Sequence, residues 1–337
     1  MKIGIVILNW NGLALLKRYL PSVVKYSGNH SLYLADNAST DSSIAWVQEN
    51  YPSVHIIAMA ENRGYAGGYN LALKSVEEEL VCLLNNDIEV TEDWLLPVIQ
   101  LFKQDPEIAA AQPLLLDDKK RSHFEYAGAA GGYLDRLAYP YCRGRIFNSI
   151  EEHKNQYAVT TDLDWASGAA FFVKKKAFGA VGAFDESYFA HQEEIDLCWR
   201  LRHAGYRIAI AVDSQVYHLG GGTLDTLNPK KTYYNFRNSL FNIVKNDHSS
   251  SWIGIIFLRM VLDGIAAWKF LLSGKAAHFM AVFKAHISFY LGLGNVWKQR
   301  AEVQRFSKII VPKSKVYSIV YQYFVENKKQ FLSLKSS

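Results

Sequence analysis

The residues in this sequence best suited to proton transfer or cation binding gather in one stretch, Phe184 to Thr223. Glu193, Glu194 and Asp196 open a run in which Leu197 and Leu201 recur at four-residue spacing, and Gly205 supplies a left-handed stop. The spacing predicts a helix with its acids in the first turn, where the positive end of the helix dipole favours carboxylates. Acids placed there read, taken alone, as a helix cap with a solvated acidic face. After Gly205, residues Tyr206 to Val212 alternate as a half-buried strand does. A second short strand, Gln215 to Tyr217, delivers His218 to the turn Gly220-Gly221-Gly222. Three glycines serve no core, and they let backbone approach a ligand closely. That ending shifts the stretch from a cap toward a site.

These side chains need a frame to hold them. Ile3 to Leu8 is a continuous apolar run that reads as a strand buried on both faces of a parallel sheet. Leu13 to Val24 reads as a helix with Leu16, Leu20 and Val23 inward, and Ser31 to Ala35 as the next strand. Val54 to Ala58 and Leu80 to Leu84 read as two more, with a helix from the end of loop 61–70 through Glu78 between them. Strands alternating with helices predict an α/β fold with a doubly wound, mostly parallel sheet. Ligands bind outside the carboxyl ends of such strands. Three polar loops fall there: Asp36 to Ser43, Glu61 to Asn70, and Asn85-Asn86-Asp87. Any one of them serves as a turn or cap, but together at one sheet edge they predict a site. Gly64, Gly67 and Gly68 do not follow the G-x-G-x-x-G pattern, and no G-x-x-x-x-G-K loop occurs, so dinucleotide and P-loop readings are set aside.

The 337 residues suffice for one large or two ordinary domains, and half of them are hydrophobic, as in a folded globular protein. Net charge is +5, but from Lys298 onward nine basic residues face two acidic ones, which leaves residues 1–297 at −2. A near-neutral body with a basic tail argues against nucleic acid as a partner and for an anionic membrane surface. Three scattered cysteines, Cys82, Cys142 and Cys198, show no metal spacing and read as reduced thiols in a cytoplasm. The opening residues lack the features of a signal peptide, and no uncharged apolar run reaches membrane-spanning length.

Taken together, several motifs resemble those of the family 2 glycosyltransferases, which have a GT-A fold. They are the first strand with Asn9-Trp10-Asn11-Gly12, then Asp36-Asn37-Ala38-Ser39-Thr40-Asp41, Asn62 to Asn70, and Leu83 to Asp87. Ser167-Gly168-Ala169-Ala170-Phe171 and the stretch from Phe184 complete the set. The segment from Gly131 to Arg145 resembles the rhamnosyltransferase-like branch of bacterial surface-polysaccharide enzymes. The resemblance implies a GT-A domain over residues 1–245, with a nucleotide-binding half to about 113 and an acceptor half from about 114. A helical, basic extension, 246–337, follows. It implies that Asp36 hydrogen-bonds the base of a UDP- or dTDP-sugar, with Asn9, Asn37, Ser39, Asn62, Arg63, Gly67, Asn70 and Asn86 around the nucleotide. Asp87 matches the last acid of an Asp-x-Asp metal motif whose first position is Asn85 here, and His218 matches a histidine that joins the metal. Mn²⁺ or Mg²⁺ suits oxygen ligands and one imidazole. Glu194 matches the catalytic base, where Asp is more usual, with Glu193 as the second candidate. One base and no protein nucleophile imply inversion.

The aromatic, glycine-rich stretch 114–165 offers ring faces for sugar. Trp165, Ser167 and Gly168, with Arg143 and Arg145 for a polyprenyl diphosphate, are the acceptor candidates. Residues 252–297 read as apolar helices for a membrane interface, with packing on the fold or in a homodimer as the alternative. Val316 to Val325 is apolar without a clear period. The expected function is therefore an inverting, metal-dependent transfer of a sugar, rhamnose first, to a lipid-linked glycan at the inner face of the cell membrane. The rivals are a nucleotidyltransferase, which the missing basic N-terminal phosphate loop argues against, and a degenerate sugar-nucleotide-binding scaffold, which Asn85 and Glu194 suggest.

Overall fold

Apolar runs without charge become strands covered on both faces in the computed structural model, which describes residues 1–220 and 228–335. Gly221, Gly222 and Thr223 of the glycine turn lie outside the described residues. The first half runs β1 (Ile3–Asn9), α1 (Leu13–Tyr26), β2 (Ser31–Asp36), α2 (Ser43–Asn50), β3 (His55–Ala58), α3 (Gly64–Ala72), β4 (Leu80–Asn85), β5 (Ile88–Val90), α4 (Leu96–Gln104) and β6 (Ile108–Asp117). Four short strands follow, β7 (Gly132–Leu134), β8 (Pro140–Cys142), β9 (Arg145–Ile146) and β10 (Ser149–Ile150). Then come β11 (Ala170–Lys174), α5 (Lys175–Ala180), α6 (Glu193–His203) and β12 (Arg207–His218). The chain closes with α7 (Pro229–Asn246), α8 (Trp252–Leu272), α9 (Ala276–Phe306) and α10 (Ile319–Phe324).

The main sheet has eight strands in the order β3-β2-β1-β4-β11-β6-β12-β5. β1 pairs in parallel with β2 and β4, β2 with β3, and β6 with β12. Only β11 and β5 run against their neighbours. The fold is thus α/β, mostly parallel, with a helical C-terminus, as the alternation of elements predicts. Strand alternation splits the core: Ile3, Ile5 and Ile7 pack with Leu16, Leu20 and Val23 of α1, while Val6 joins Ala66 and Tyr69 of α3 on the other face.

Three local expectations are corrected. The expected loop 61–70 is mostly helix, because α3 begins at Gly64, and it ends at Ala72 rather than running to Glu78. Gly64 has φ +67°, and a Cβ there would stand 2.5 Å from the Phe189 carbonyl, so the entry to α3 needs glycine. The two short strands expected before His218 are one strand, β12, whose residues Ile208 to Val212 are all buried. A register shift between Ala211 and Gln215 absorbs the polar Asp213-Ser214 pair, and the Ser214 hydroxyl donates to Trp94 O at 2.5 Å. Val316 to Val325 contains α10, with Val316 and Ile319 packed on Tyr141 and Ile146.

Candidate active site

The carboxyl ends of β1, β2 and β4 bring a polar cluster together. Asn9, fully buried, donates from Nδ2 to Asp36 Oδ1 and to Ser39 Oγ, both at 3.2 Å, and accepts from Asn86 Nδ2 at 2.9 Å. Asp36 Oδ2 accepts from the Ser39 amide at 2.8 Å. Asn37 accepts from the Arg63 amide at 2.9 Å and donates to Asn62 Oδ1 at 3.0 Å and to Gly64 O at 2.9 Å. Asn62 in turn accepts from the Gly64 amide at 2.9 Å. Asn9, Asn37 and Asn62 therefore hold loop shape, and Asp36 keeps spare lone pairs. The Arg63 guanidinium is exposed and paired with Glu61 at 2.9 Å. Gly67 and Asn70, expected at the nucleotide, make contacts within the fold. A Cβ on Gly67 would press on Arg63 Cβ at 2.9 Å, and Asn70 clamps Phe184 through its N–H and C=O at 3.0 and 2.9 Å.

Asp87 and His218 meet, although 131 residues separate them in the chain. β5 pairs with the end of β12 so that His218 lies opposite Ile88, and Asp87 Oδ1 then stands 3.1 Å from His218 Nε2. Glu125, which the sequence reading missed, stands 3.2 Å from Nδ1 on the other side of the ring. All three side chains are at least nine-tenths buried. Burial opposes a charge on His218, but Glu125 and Asp87 outweigh it and carry its pKa up to about 10. Glu125 itself is tied to the Ala127 amide at 2.5 Å. Its position came from an irregular segment with no periodicity to flag it.

Among the described residues no three His, Cys, Asp or Glu groups form a closed metal cage. The fit is instead to an ion shared with substrate. Two neighbouring ligands about 2.1 Å from an octahedral ion stand about 3 Å apart, close to the 3.1 Å between Asp87 and His218. An ion of the Mg²⁺ or Mn²⁺ type needs only one or two protein ligands when phosphates supply the rest. A carboxylate behind the second ring nitrogen, as Glu125 is, orients such a histidine.

Three acids open α6, and they divide by environment. Asp196 is fully buried in an ionic cluster, bonded by Arg200 at 2.6 and 2.9 Å, Lys245 at 3.1 Å and Asn246 at 2.9 Å. Burial raises its pKa, but Arg200 and Lys245 prevail and hold it down to about 2. Glu193 and Glu194 each leave Oε2 buried without a hydrogen-bond partner. Burial pushes the Glu194 carboxyl up to about 7, and burial together with the Glu194 charge pushes the Glu193 carboxyl well above the usual carboxylate range. Close by, the Tyr65 hydroxyl is held protonated by burial and by the charges of Tyr69, Glu193 and Glu194, and donates to Gly168 O at 2.7 Å.

The turn that presents these acids is strained. Phe189, His191 and Gln192 have φ of 61°, 68° and 73°, a costly conformation outside glycine. α7 holds it. Asn238 Nδ2 bonds the carbonyls of Tyr188, Ala190 and His191 at 3.2, 3.1 and 2.7 Å, and Asn242 Nδ2 bonds Gln192 O at 3.3 Å. Tyr65 N donates to Phe189 O at 2.9 Å from the other side.

Most of the acceptor candidates are buried and bonded within the fold. Arg143 is buried and donates to Ala130 O at 2.9 Å and Val159 O at 3.2 Å. Arg145, also buried, donates to Tyr126 O at 2.9 Å and lies 3.4 Å from Cys142 Sγ. Both guanidiniums knit the small sheet β7–β10 to its surroundings. Trp165 is 3% exposed with its indole N–H on Tyr133 O at 3.0 Å, and Ser167 is 1% exposed with its amide on Gln112. Of this group only Gly168 borders the acidic pair, through Tyr65.

Residues 4–179 match the model of a family described as Glycosyl transferase family 2. An N-acetylglucosaminyl-diphospho-decaprenol L-rhamnosyltransferase of Mycobacterium tuberculosis (strain ATCC 25618 / H37Rv) is 25% identical over 202 residues, 56% of this chain and 66% of that protein. Rhamnosyltransferase WbbL of Escherichia coli (strain K12) is 28% identical over 152 residues, 43% of this chain and 56% of its own. The chain thus matches less than two thirds of either relative's length. Among solved structures, mannosyltransferase PcManGT from Pyrobaculum calidifontis, in complex with GDP-Man and Mn²⁺, aligns with a TM-score of 0.52 at 14% identity, covering 90% of this chain and 85% of that one. TarS 1–349 of S. aureus in complex with UDP aligns with a TM-score of 0.53 at 14% identity, covering 96% and 86%. At that identity the likeness is one of fold.

Proposed function

The chain belongs to glycosyl transferase family 2, and we propose that it is an inverting, divalent-metal-dependent glycosyltransferase. It moves a sugar, rhamnose first among the candidates, from a UDP- or dTDP-sugar to a glycan acceptor on a polyprenyl diphosphate. The observation that carries the reading is the meeting of Asp87 and His218 at the carboxyl edge of the sheet, 3.1 Å apart. The mycobacterial relative's name supports rhamnose and a lipid diphosphate acceptor. The UDP and Mn²⁺ in solved relatives of this fold support the donor and the ion.

Each residue then has a task. Asp36 accepts the N3–H of the pyrimidine, while Asn9 and Ser39 fix its orientation. Asp87 and His218 would hold a divalent ion together with the donor diphosphate, and Glu125 would fix the imidazole from behind. Such an ion would supply positive charge against the leaving nucleoside diphosphate. Arg63, exposed beside the nucleotide loop, adds a cation over the same phosphates. Glu194 takes the proton of the attacking acceptor hydroxyl, and a pKa near the working pH suits that role. With a base and no protein nucleophile, the sugar is displaced once and its anomeric configuration inverts.

Thermal shift with UDP, dTDP, CDP and GDP, each with and without Mn²⁺, tests the binding half of this reading. UDP or dTDP with Mn²⁺ stabilises the fold, since ligand binding to the native state raises its apparent stability. No shift with any pyrimidine diphosphate would remove the donor assignment.

A further inference from the structure

The helical hairpin at the C-terminal side has its polarity turned outside in. α8 carries two charges along its middle, Arg259 and Asp263, and both point into the protein. Arg259 lies 3.7 Å over the Tyr139 ring and donates to Leu137 O at 2.8 Å and Ser239 Oγ at 2.9 Å. Asp263 lies 3.3 Å from His286 Nε2. The opposite face is a stripe at helical spacing, Ile253, Phe257, Val261, Ile265, Trp268 and Leu272, each between 46% and 85% exposed. α9 continues it with Phe283, Ile287 and Leu291, exposed by 56%, 45% and 84%. A helix on a water-soluble surface shows the reverse arrangement. The charged groups here find partners inside, and among the described residues nothing covers the apolar side.

We propose that this face docks the protein on an anionic membrane surface. Charge selects the occupant. From Gly264 through Ala301 no Asp or Glu occurs, and the exposed charges there, Lys269, Lys275, Lys284 and Lys298, are all basic; the exposed Glu302 and Arg305 follow at the end of α9. A second copy of the chain would bring the same lysines against each other, whereas anionic headgroups complement them. No helix among the described residues is long and apolar enough to cross a membrane, so the hairpin lies on the surface. Its link to the site is direct. Tyr188, at the edge of the strained turn before Glu193, packs on Leu240 and Phe241 of α7 and Phe289 of α9. A helix that carries the surface thus packs against the turn that presents the acids; the link to a membrane-borne acceptor rests on the proposed function, and vesicle binding tests the docking without any donor or acceptor.

Flotation of the full chain with vesicles of phosphatidylcholine, and with vesicles also containing phosphatidylglycerol, is the experiment. The protein floats with the anionic vesicles and is released at high salt, where screening shortens the reach of the lysines. Phe257→Glu and Leu272→Glu each lower the partition coefficient about tenfold or more. Lys269→Gln and Lys275→Gln each lower it about fivefold. Both apolar positions face outward, so unchanged far-ultraviolet circular dichroism and melting temperature will show that the variants fold. A full chain that stays at the bottom with both vesicle types overturns the proposal. Equal flotation with neutral vesicles overturns the assignment to anionic lipid. Sedimentation showing a dimer that Phe257→Glu dissolves, without flotation, assigns the face to a second copy instead.

Discussion

Replacing Glu194 by Gln keeps the shape of the side chain and removes its ability to accept a proton. The structure sets how the loss should look. Burial holds the Glu194 carboxyl near a pKa of about 7, so wild-type activity should rise with pH and level off above that value. At pH 6 about a tenth of the base is ionised, and the rate should be about tenfold below its plateau. Glu194→Gln lowers kcat by roughly 10²–10⁴ at the plateau, flattens the rise, and leaves donor affinity unchanged. Glu193→Gln behaves differently. Burial and the Glu194 charge push the Glu193 carboxyl up, but Glu193 is not assigned the acceptor proton, so Glu193→Gln keeps most of the rate and the rise with pH. The same pair affects stability. A carboxyl raised from 4.5 to about 7 on folding keeps its proton in the native state where the unfolded chain has lost it. Stability is therefore fully present below the unfolded pKa and falls as pH rises through 7, by up to about 3 kcal/mol for Glu194. Glu194→Gln removes that slope. The assay is kcat and kcat/KM against pH for both variants, with denaturant unfolding at pH 5 and 8. A Glu193→Gln enzyme that loses the rate while Glu194→Gln keeps it refutes the assignment of the base.

Three further outcomes follow from the site. Asp87→Ala abolishes metal-dependent turnover and Mn²⁺ binding measured by calorimetry in the presence of UDP, while His218→Ala weakens both by less; an Asp87→Ala enzyme equal to wild type contradicts the metal assignment. Glu125→Ala frees the His218 ring and lowers Mn²⁺ affinity by about 10–100-fold, and Glu125→Gln recovers part of it; unchanged affinity in both would show that Glu125 only fills space. Asp36→Ala erases the preference for UDP or dTDP over CDP, because cytidine lacks the N3–H that Asp36 accepts; equal calorimetric affinities of the wild type for all three diphosphates would rule out this role.

The sheet was legible because uncharged runs such as Ile3 to Leu8 and Leu80 to Leu84 have no other stable place than between two layers. Loop residues at strand ends were legible for the same reason: once the strands are placed, Asp36 and Asp87 must share an edge, and β12 brings His218 to it. Other features depend on contacts between distant segments. α3 opens in Gly64-Tyr65-Ala66-Gly67-Gly68, a poor helix by propensity, and forms because Tyr69 and Ala66 pack under the sheet. Glu125, Arg143 and Arg145 lie in irregular chain where no period tells an inward side chain from an outward one. Arg259 and Asp263 look like the solvated face of an amphipathic helix in sequence, yet Tyr139, Leu137 and His286 draw them inside. Asp196 resembles its two neighbours in type and is separated from them only by Arg200 and Lys245.

The proposed function requires the site to break a sugar–diphosphate bond with the acids and the histidine acting together. Release of nucleoside diphosphate tests it most directly, followed by phosphorus NMR with a panel of UDP- and dTDP-sugars, Mn²⁺, and wild-type, Asp87→Ala and Glu194→Gln proteins. Slow release of UDP or dTDP by the wild type from at least one donor is expected, with Mn²⁺ required, and none by Asp87→Ala. Any release stimulated by added lipid-linked glycan is lost in Glu194→Gln. Wild-type protein that binds a donor with Mn²⁺ but releases no diphosphate, with or without acceptor, would contradict the proposed function and mark the chain as a binding protein.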